Sequence, residues 1–186
     1  MKTNGLRWAT KTFFLSISLS IVFSMISQSM FPSLPAFFSS VIIFVFIFIS
    51  CLFDVIGVAF TSFDKEVLSK YQNETFYKTA EKLCNNTDKI SSFCGDVVGD
   101  ICGILSGAGG VSLVVNLGIA NQSVNFLITC FVSSFIAGFT IFGKAVMKGY
   151  AINKSEKIVI TTSKIMEKSV FNFFRKKKKK NMSKNA

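Results

Sequence analysis

The chain has 186 residues, half of them hydrophobic and 22 of them phenylalanine, and its mean hydropathy is positive, which is typical of an integral membrane protein. Histidine is absent, which excludes His-ligated zinc sites and Ser-His or Cys-His catalysis. The net charge of +11 includes an unbroken basic run, residues 175–180, so it indicates a basic tail and no nucleic-acid-binding surface.

The predicted fold is all-α, because a bilayer admits only helices or closed barrels and no segment shows strand-like alternation. A helix of roughly 20 apolar residues crosses a hydrocarbon core of about 30 Å. We predict four transmembrane helices, at about 12–30, 37–62, 90–115 and 126–146. The five cysteines are odd in number and form no C-x-x-C motif, so we interpret them as small buried apolar residues.

The first span follows a basic N-terminus, residues 1–11, which carries Lys2, Arg7 and Lys11. We interpret the uncharged run at 12–30 as a transmembrane helix. A cleaved secretory signal is the alternative, since a basic start and a small-residue end also fit that pattern.

The second span begins after a short turn that contains Pro32 and Pro35, which end one helix and permit another. Its first half consists mainly of apolar residues of the kind that face lipid. Near its far end it carries Asp54, and it finishes with Thr61 and Ser62.

The loop between the second and third spans, residues 63–89, carries five basic and five acidic side chains. Phe76, Ala80 and Leu83 recur in it at helical spacing, which predicts one or two short amphipathic helices over the mouth of the bundle or on the membrane surface. A solvated connector is the alternative.

The third span contains Asp96 and Asp100 in a helix-length run that is otherwise apolar or small. Residues four apart project from the same face of a helix. Each ionised Asp near the bilayer centre raises the free energy of membrane insertion by roughly 2.5–3.5 kcal/mol, so both are expected to have a functional role. Glycines at the same spacing predict a ridge for close helix packing, at Gly95, Gly99, Gly103 and Gly107.

The fourth span carries small and hydroxyl residues, which favour contact with other helices over contact with lipid. The short turns that join spans one to two and three to four contain no Lys or Arg. By the positive-inside rule, both termini and the middle loop are therefore predicted to be cytoplasmic, in a multi-pass protein of a bacterial cell membrane.

The C-terminal part is predicted to form an amphipathic juxtamembrane helix at 151–174 and a disordered polybasic tail at 175–186. The tail suits anionic headgroups, at roughly 1 kcal/mol per basic residue. The alternative is that the lysine run reflects a Lys- and Asn-rich composition alone.

Counted along the helices, Asp54 lies about 12 Å before the end of the second span, and Asp96 and Asp100 lie about 9 and 15 Å after the start of the third. We therefore predict that the three carboxylates converge at one depth. Mg²⁺ prefers oxygen ligands and keeps several waters. Hydroxyl groups predicted to supplement the carboxylates are those of Ser92, Thr61 and Ser62. At least one carboxylate is expected to be protonated or cation-bound, and coupling to proton or sodium exchange is a hypothesis.

Three motifs follow one another between about residues 40 and 160, namely LFDVIGVAFTSF, CGDVVGDICGI and FGKAVMKGYAINKSEKIV. In this order they resemble the transmembrane domain of the CorB/CorC and cyclin M (CNNM) magnesium transporters. The first motif keeps the family's A-x-T-S ending but has Asp54 and Gly57 in place of Ser and Glu. The second has Asp in place of the family's Asn, and the third has Lys144 and Met147 at its acidic and proline positions.

In that family the domain is a dimer that holds a magnesium ion between helices, and it is linked to magnesium export with cobalt as a companion substrate. The resemblance therefore implies a homodimeric transporter of divalent cations rather than an enzyme, with Mg²⁺ as the substrate ion. No segment here resembles the family's CBS-domain pair, so nucleotide-linked regulation is not implied.

Two other functions stay open. A structural or assembly protein would use the glycine ridge as its interface, and its acids would only bond to Ser, Thr or the opposite helix. An intramembrane aspartyl protease is the second, because Phe53-Asp54 together with Val98-Gly99-Asp100 partly resembles the aspartate motifs of such enzymes.

Overall fold

The computed structural model describes the backbone of residues 3–182 and the side chains of residues 7–168. Within that range the chain forms helices and turns and contains no strand. The elements are, in chain order, α1 (Thr3–Met30), a 3-10 turn (Phe31–Ser33), α2 (Ala36–Ser62), a 3-10 segment (Lys65–Tyr71), α3 (Tyr77–Cys84), α4 (Thr87–Ser92), a π-helical segment (Phe93–Gly99), α5 (Asp100–Asn116), α6 (Gln122–Asn153) and α7 (Ser155–Met182).

Four helices in the described part of the chain are long and apolar enough to cross a membrane, which confirms the predicted all-helical class and the presence of four helices of spanning length. These helices are Arg7–Ser33, Ala36–Ser62, Thr87–Asn116 and Gln122–Asn153. The fourth extends beyond its predicted end at 146, because the segment after it carries isolated lysines but no helix-breaking proline.

The second span, α2, is the centre of the bundle. It contacts α4, the π-helical segment, α5, α6 and α7. Its buried stripe includes Ile43, Ile47 and Cys51, which pack with Phe31 of the 3-10 turn and Ile136 of α6. By contrast α1 is peripheral, since only 6% of its apolar window is buried, compared with 50% in the third span.

Glycine permits the closest approaches of the helices. A Cβ added at Gly109 would lie 2.5 Å from Cζ of Phe31, and one at Gly110 would overlap Cδ1 of Ile136. At Gly57 the obstacle is backbone, because an added Cβ would lie 3.2 Å from the carbonyl oxygen of Ser91. These three glycines hold α2 and α5 against their neighbours at distances that a larger residue would not allow.

The connector between α2 and α4 is folded and has its own hydrophobic core. Phe76 and Ala80 are buried there with Val159 of α7, and the end of α2 closes the cluster with Phe60 and Phe63. The helix α3 therefore lies where the spacing of apolar residues predicts one, and the solvated alternative does not describe this segment.

Polar contacts also join the connector to α7. The Tyr71 hydroxyl donates a hydrogen bond of 2.9 Å to Oε1 of Glu156, and this bond raises the pKa of the Tyr71 phenol above its usual value. The Lys164 ammonium lies 4.9 Å from the ring centroid of Phe76, in cation–π geometry.

Burial raises the pKa of the Cys84 thiol, so this cysteine stays a neutral core residue.

The C-terminal boundaries differ from the predicted ones. Residues 151–153 belong to α6, and the juxtamembrane helix α7 begins at Ser155. Its backbone continues to Met182, through most of the run predicted to be disordered, because lysine is a good helix former. The last part of the predicted tail, residues 183–186, lies outside the described residues.

Candidate functional site: the polar junction

The polar junction is the place where α2 and α6 meet the end of the π-helical segment and the start of α5, and it consists of Ser50, Asp54, Gly99, Asp100 and Lys144. Each of these residues lies within a helix that is long and apolar enough to cross a membrane. Ionisable groups at such positions are costly in a bilayer, so they are candidates for a functional role.

The backbone at the junction is irregular. A π-helical turn shifts the hydrogen-bond register, and such turns occur frequently at functional sites. The Ser50 hydroxyl, which is fully buried, donates a hydrogen bond of 2.8 Å to the carbonyl oxygen of Gly99. This bond joins α2 to the end of the π-helical segment and satisfies a backbone group that water cannot reach.

Asp54 is half-buried and faces the π-helical segment from α2. Its Oδ1 lies 3.5 Å from the position that a Cβ on Gly95 would occupy. Gly95 directly precedes Asp96 in the sequence, so Asp54 lies beside the part of the π-helical segment that carries Asp96.

Asp100 has a cationic neighbour, Lys144 of α6, whose Nζ lies 3.8 Å from Oδ1 of Asp100. This is the one ion pair among the side chains that the structure describes. At that distance it is an electrostatic pair rather than a hydrogen bond. The Lys144 side chain is 25% exposed and the Asp100 side chain 67% exposed, so the carboxylate can accept further partners from outside the chain.

The predicted ligands do not form a single cluster. Asp96 and Asp100 are exposed, whereas Asp54 is half-buried behind them. Among the described side chains, no group of three or more Cys, Asp or Glu residues is placed to hold a metal ion. A cation at the junction would therefore be held by one or two carboxylates and by water, which is the coordination that Mg²⁺ accepts.

The three predicted hydroxyl ligands occupy other positions. Ser92 is half-buried about one turn before Asp96. The Thr61 hydroxyl donates to carbonyl oxygens of its own helix, at 2.8 Å to that of Val58. Ser62 is exposed at the end of α2, about 12 Å along the axis from Asp54. Thr61 and Ser62 thus lie too far along the helix to share an ion with Asp54.

The predicted glycine ridge has two different halves. Gly95 and Gly99 face the polar junction, near Asp54 and Lys144. A Cβ added at Gly103 or Gly107 would meet no atom of the described chain within 4 Å. The second half of the ridge therefore makes no helix contact within one copy of the chain.

Sequence reasoning missed the roles of Ser50 and Lys144. Ser50 stands four residues before Asp54 in a run of Ile and Phe, and Lys144 is a single basic residue inside the predicted fourth span. An isolated polar or charged residue in an apolar span is itself the signal that would have identified both.

The chain matches no described protein family, no curated protein and no solved structure. The resemblance to the CorB/CorC and cyclin M transporters therefore stays a prediction that depends on the three motifs.

Proposed function

We propose that this chain is a membrane transporter of divalent cations, with magnesium as its substrate ion and cobalt as a companion, as the motif resemblance implies. The observation that supports it best is the polar junction, where Asp54, Asp100 and Lys144 bring three charges into apolar spans. The proposal includes a bacterial cell membrane, cytoplasmic termini and transport without an enzymatic step.

The role of Lys144 follows from its charge. Its ammonium lies beside Asp100 and offsets a carboxylate that would otherwise be unpaired in the bilayer. A divalent cation carries twice that charge and competes for the same oxygen atoms. Binding of the ion to Asp100 therefore displaces the ammonium, and release of the ion lets the ammonium return.

The neighbouring carboxylates complete the path. Asp96 is exposed one turn before Asp100 in the same membrane-spanning helix, so its carboxylate is open to an ion that binds Asp100. Asp54 is half-buried on α2 at the same level. An ion that moves from Asp96 or Asp100 towards Asp54 goes from an open position to a more enclosed one, which is the step that transport requires.

A second function, assembly within the membrane, is favoured by one specific observation. Gly103 and Gly107 meet no atom of the described chain within 4 Å, although small residues at this spacing normally permit helix contact. A second copy of the chain would fill this face. A homodimer is compatible with both functions, so only a flux measurement distinguishes them.

The test is a flux assay in proteoliposomes that contain a magnesium-sensitive dye. The unaltered chain is compared with the Asp54→Asn, Asp96→Asn, Asp100→Asn triple variant, which keeps side-chain size but removes the charges. We expect the triple variant to lose at least about 90% of the flux, because loss of ligand charge removes the main attraction for Mg²⁺.

The matched control is Asp64→Asn. Asp64 is exposed on the connector and caps the 3-10 segment by accepting a hydrogen bond of 3.0 Å from the Glu66 amide, which Asn can also do. This variant should keep the flux of the unaltered chain. Equal flux in the triple variant would remove the junction from transport, and no flux in any of the three proteins would favour the assembly function.

A further inference from the structure

A basic recess of about 680 Å³ lies where the start of α1 meets the connector. Its volume is within the range of ligand-binding pockets. The basic side chains that line it are Arg7, Lys11, Lys65 and Lys89, and Asp88 is the only acidic side chain among its described lining residues. The recess therefore has an excess of positive charge.

None of the cations of the recess forms an ion pair with a described carboxylate. Among the described side chains, no Asp or Glu oxygen lies within 4 Å of Arg7, Lys11, Lys65 or Lys89. The Lys89 ammonium donates a hydrogen bond of 3.0 Å to Oδ1 of Asn86, which holds it at the rim of the recess. Converging cations without an internal counter-ion form a site for an external anion.

The position of the recess indicates which anion. Arg7 and Lys11 are the last charged residues before the uncharged run at 12–30, so the recess lies where that run enters the hydrocarbon and headgroups begin. Trp8 also lines it, and tryptophan prefers this interfacial level.

An apolar surface continues directly from the recess along α1. Arg7, Lys11 and Phe14 line an adjoining recess of about 710 Å³, and the Phe14 side chain is 63% exposed. Ile17 and Ile21 continue the exposed surface further into the span. Charge at one end and an apolar stripe at the other match the two parts of a phospholipid, and a free phosphate ion would not need the stripe.

We propose that this recess binds the phosphate of an anionic phospholipid, whose acyl chains lie along the outer face of α1. The site is independent of the polar junction and of cation transport. It also accounts for the shallow packing of α1, because a lipid held between α1 and the connector joins two elements that bury little of each other.

The test uses Trp8, the single tryptophan of the chain, as a fluorescent reporter inside the recess. The full chain in neutral detergent is titrated with dioctanoyl phosphatidylglycerol, dioctanoyl phosphatidylcholine or sodium phosphate. We expect a saturable change in Trp8 emission with phosphatidylglycerol and none with the other two at the same concentrations.

The Lys65→Gln, Lys89→Gln variant should raise the half-saturating concentration of phosphatidylglycerol by at least about tenfold, since each basic residue contributes to the binding of an anionic headgroup. The matched control is Lys70→Gln, Lys78→Gln, which removes the same charge from exposed connector positions outside the recess. It should bind as the unaltered chain does. The Lys65→Arg, Lys89→Arg variant, which keeps the charge, should also bind.

Four results would overturn the proposal. They are the absence of a saturable response, an equal response to phosphatidylcholine, an equal response to sodium phosphate, and an equal loss of affinity in the control variant. The third would indicate a site for soluble phosphate, and the fourth would indicate general attraction to the basic connector.

Discussion

Lys144 is the residue on which the chemistry of the polar junction depends most. It lies within α6, about 13 Å before the end of the helix at Asn153. An unpaired ammonium at this depth would be costly, and the Asp100 carboxylate at 3.8 Å offsets that cost. Since removal of one partner leaves the other charge uncompensated, the two residues act as a unit.

Replacing Lys144 by Gln should increase the apparent affinity for Mg²⁺, because the ammonium would no longer compete for Asp100. The two groups are 3.8 Å apart, too far for a hydrogen bond, and the Asp100 side chain is 67% exposed, so the competing interaction is that of an open pair. A surface-type pair is worth at most about 1 kcal/mol, which corresponds to a decrease in the half-saturating Mg²⁺ concentration of up to about fivefold. The half-saturating Mg²⁺ concentration is obtained from proteoliposome flux measured at a series of Mg²⁺ concentrations.

The control for this substitution is Lys148→Gln. Lys148 is exposed one helical turn further along α6 and forms no ion pair with a described side chain, so its removal changes net charge without changing the junction. The control variant should keep the original half-saturating concentration. An unchanged or higher concentration in Lys144→Gln would show that the ammonium does not compete with the ion.

At the scale of elements, the contact of α5 with the 3-10 turn depends on the absence of a side chain at Gly109. Phe31 is 1% exposed, and an added Cβ would meet two of its ring atoms and Cγ1 of Ile43 at 3.0 Å or less. Since the ring has no free volume to move into, the substitution must separate the helices.

Gly109→Ala should therefore lower the free energy of unfolding by about 1–3 kcal/mol, the usual cost of overpacking a core. Gly138→Ala, in the middle of α6, is the control, because an added Cβ there meets no described atom within 4 Å and the position lies outside the proposed interface between copies. Alanine is a better helix former than glycine, so the control should be as stable as the original chain or slightly more stable. Thermal unfolding in detergent, followed by circular dichroism, compares them, and equal stability of the two variants would contradict the close packing.

The elements that sequence predicts well are those with a strong local signal. Runs of Ile and Phe define the spans, and Pro32 and Pro35 mark the first turn because proline cannot continue a helix. The π-helical segment has no such signal, since its hydrogen-bond register is set by tertiary contacts such as that of Ser50 with Gly99. Close helix contact also depends on tertiary packing, so the glycine spacing predicted a ridge, whereas the observed close contacts are at Gly57, Gly109, Gly110 and Gly143.

The candidate site was predictable only in part. The carboxylates Asp54, Asp96 and Asp100 are visible in sequence because charge in an apolar span is rare. The direction in which each side chain points cannot be read from the sequence, because it depends on how the helices are rotated about their axes in the bundle. Asp96, in the π-helical segment, and Asp100, at the start of α5, are exposed, while Asp54 is half-buried.

At the scale of the whole molecule, the outer face of α5 is incompatible with lipid contact in a single copy. Asp96 and Asp100 are exposed there, beside the open positions of Gly103 and Gly107. Each ionised carboxylate that faces acyl chains costs roughly 2.5–3.5 kcal/mol. Another copy of the chain, packed on this face, would cover both carboxylates and fill the space beside the glycines.

A cysteine at Gly107 should therefore cross-link two copies of the chain in a membrane. The experiment uses a background in which the five native cysteines, four buried and one exposed, are replaced by alanine. The introduced cysteine is then the one thiol that can form a cross-link. The control is Phe131→Cys, on α6, where the side chain is 76% exposed. After oxidation with copper phenanthroline, Gly107→Cys should form a covalent dimer, because helices that meet through small residues approach within disulfide distance. Phe131→Cys should stay monomeric, and dimer formation at Phe131 with none at Gly107 would assign the interface to α6 and leave the acidic face of α5 uncovered.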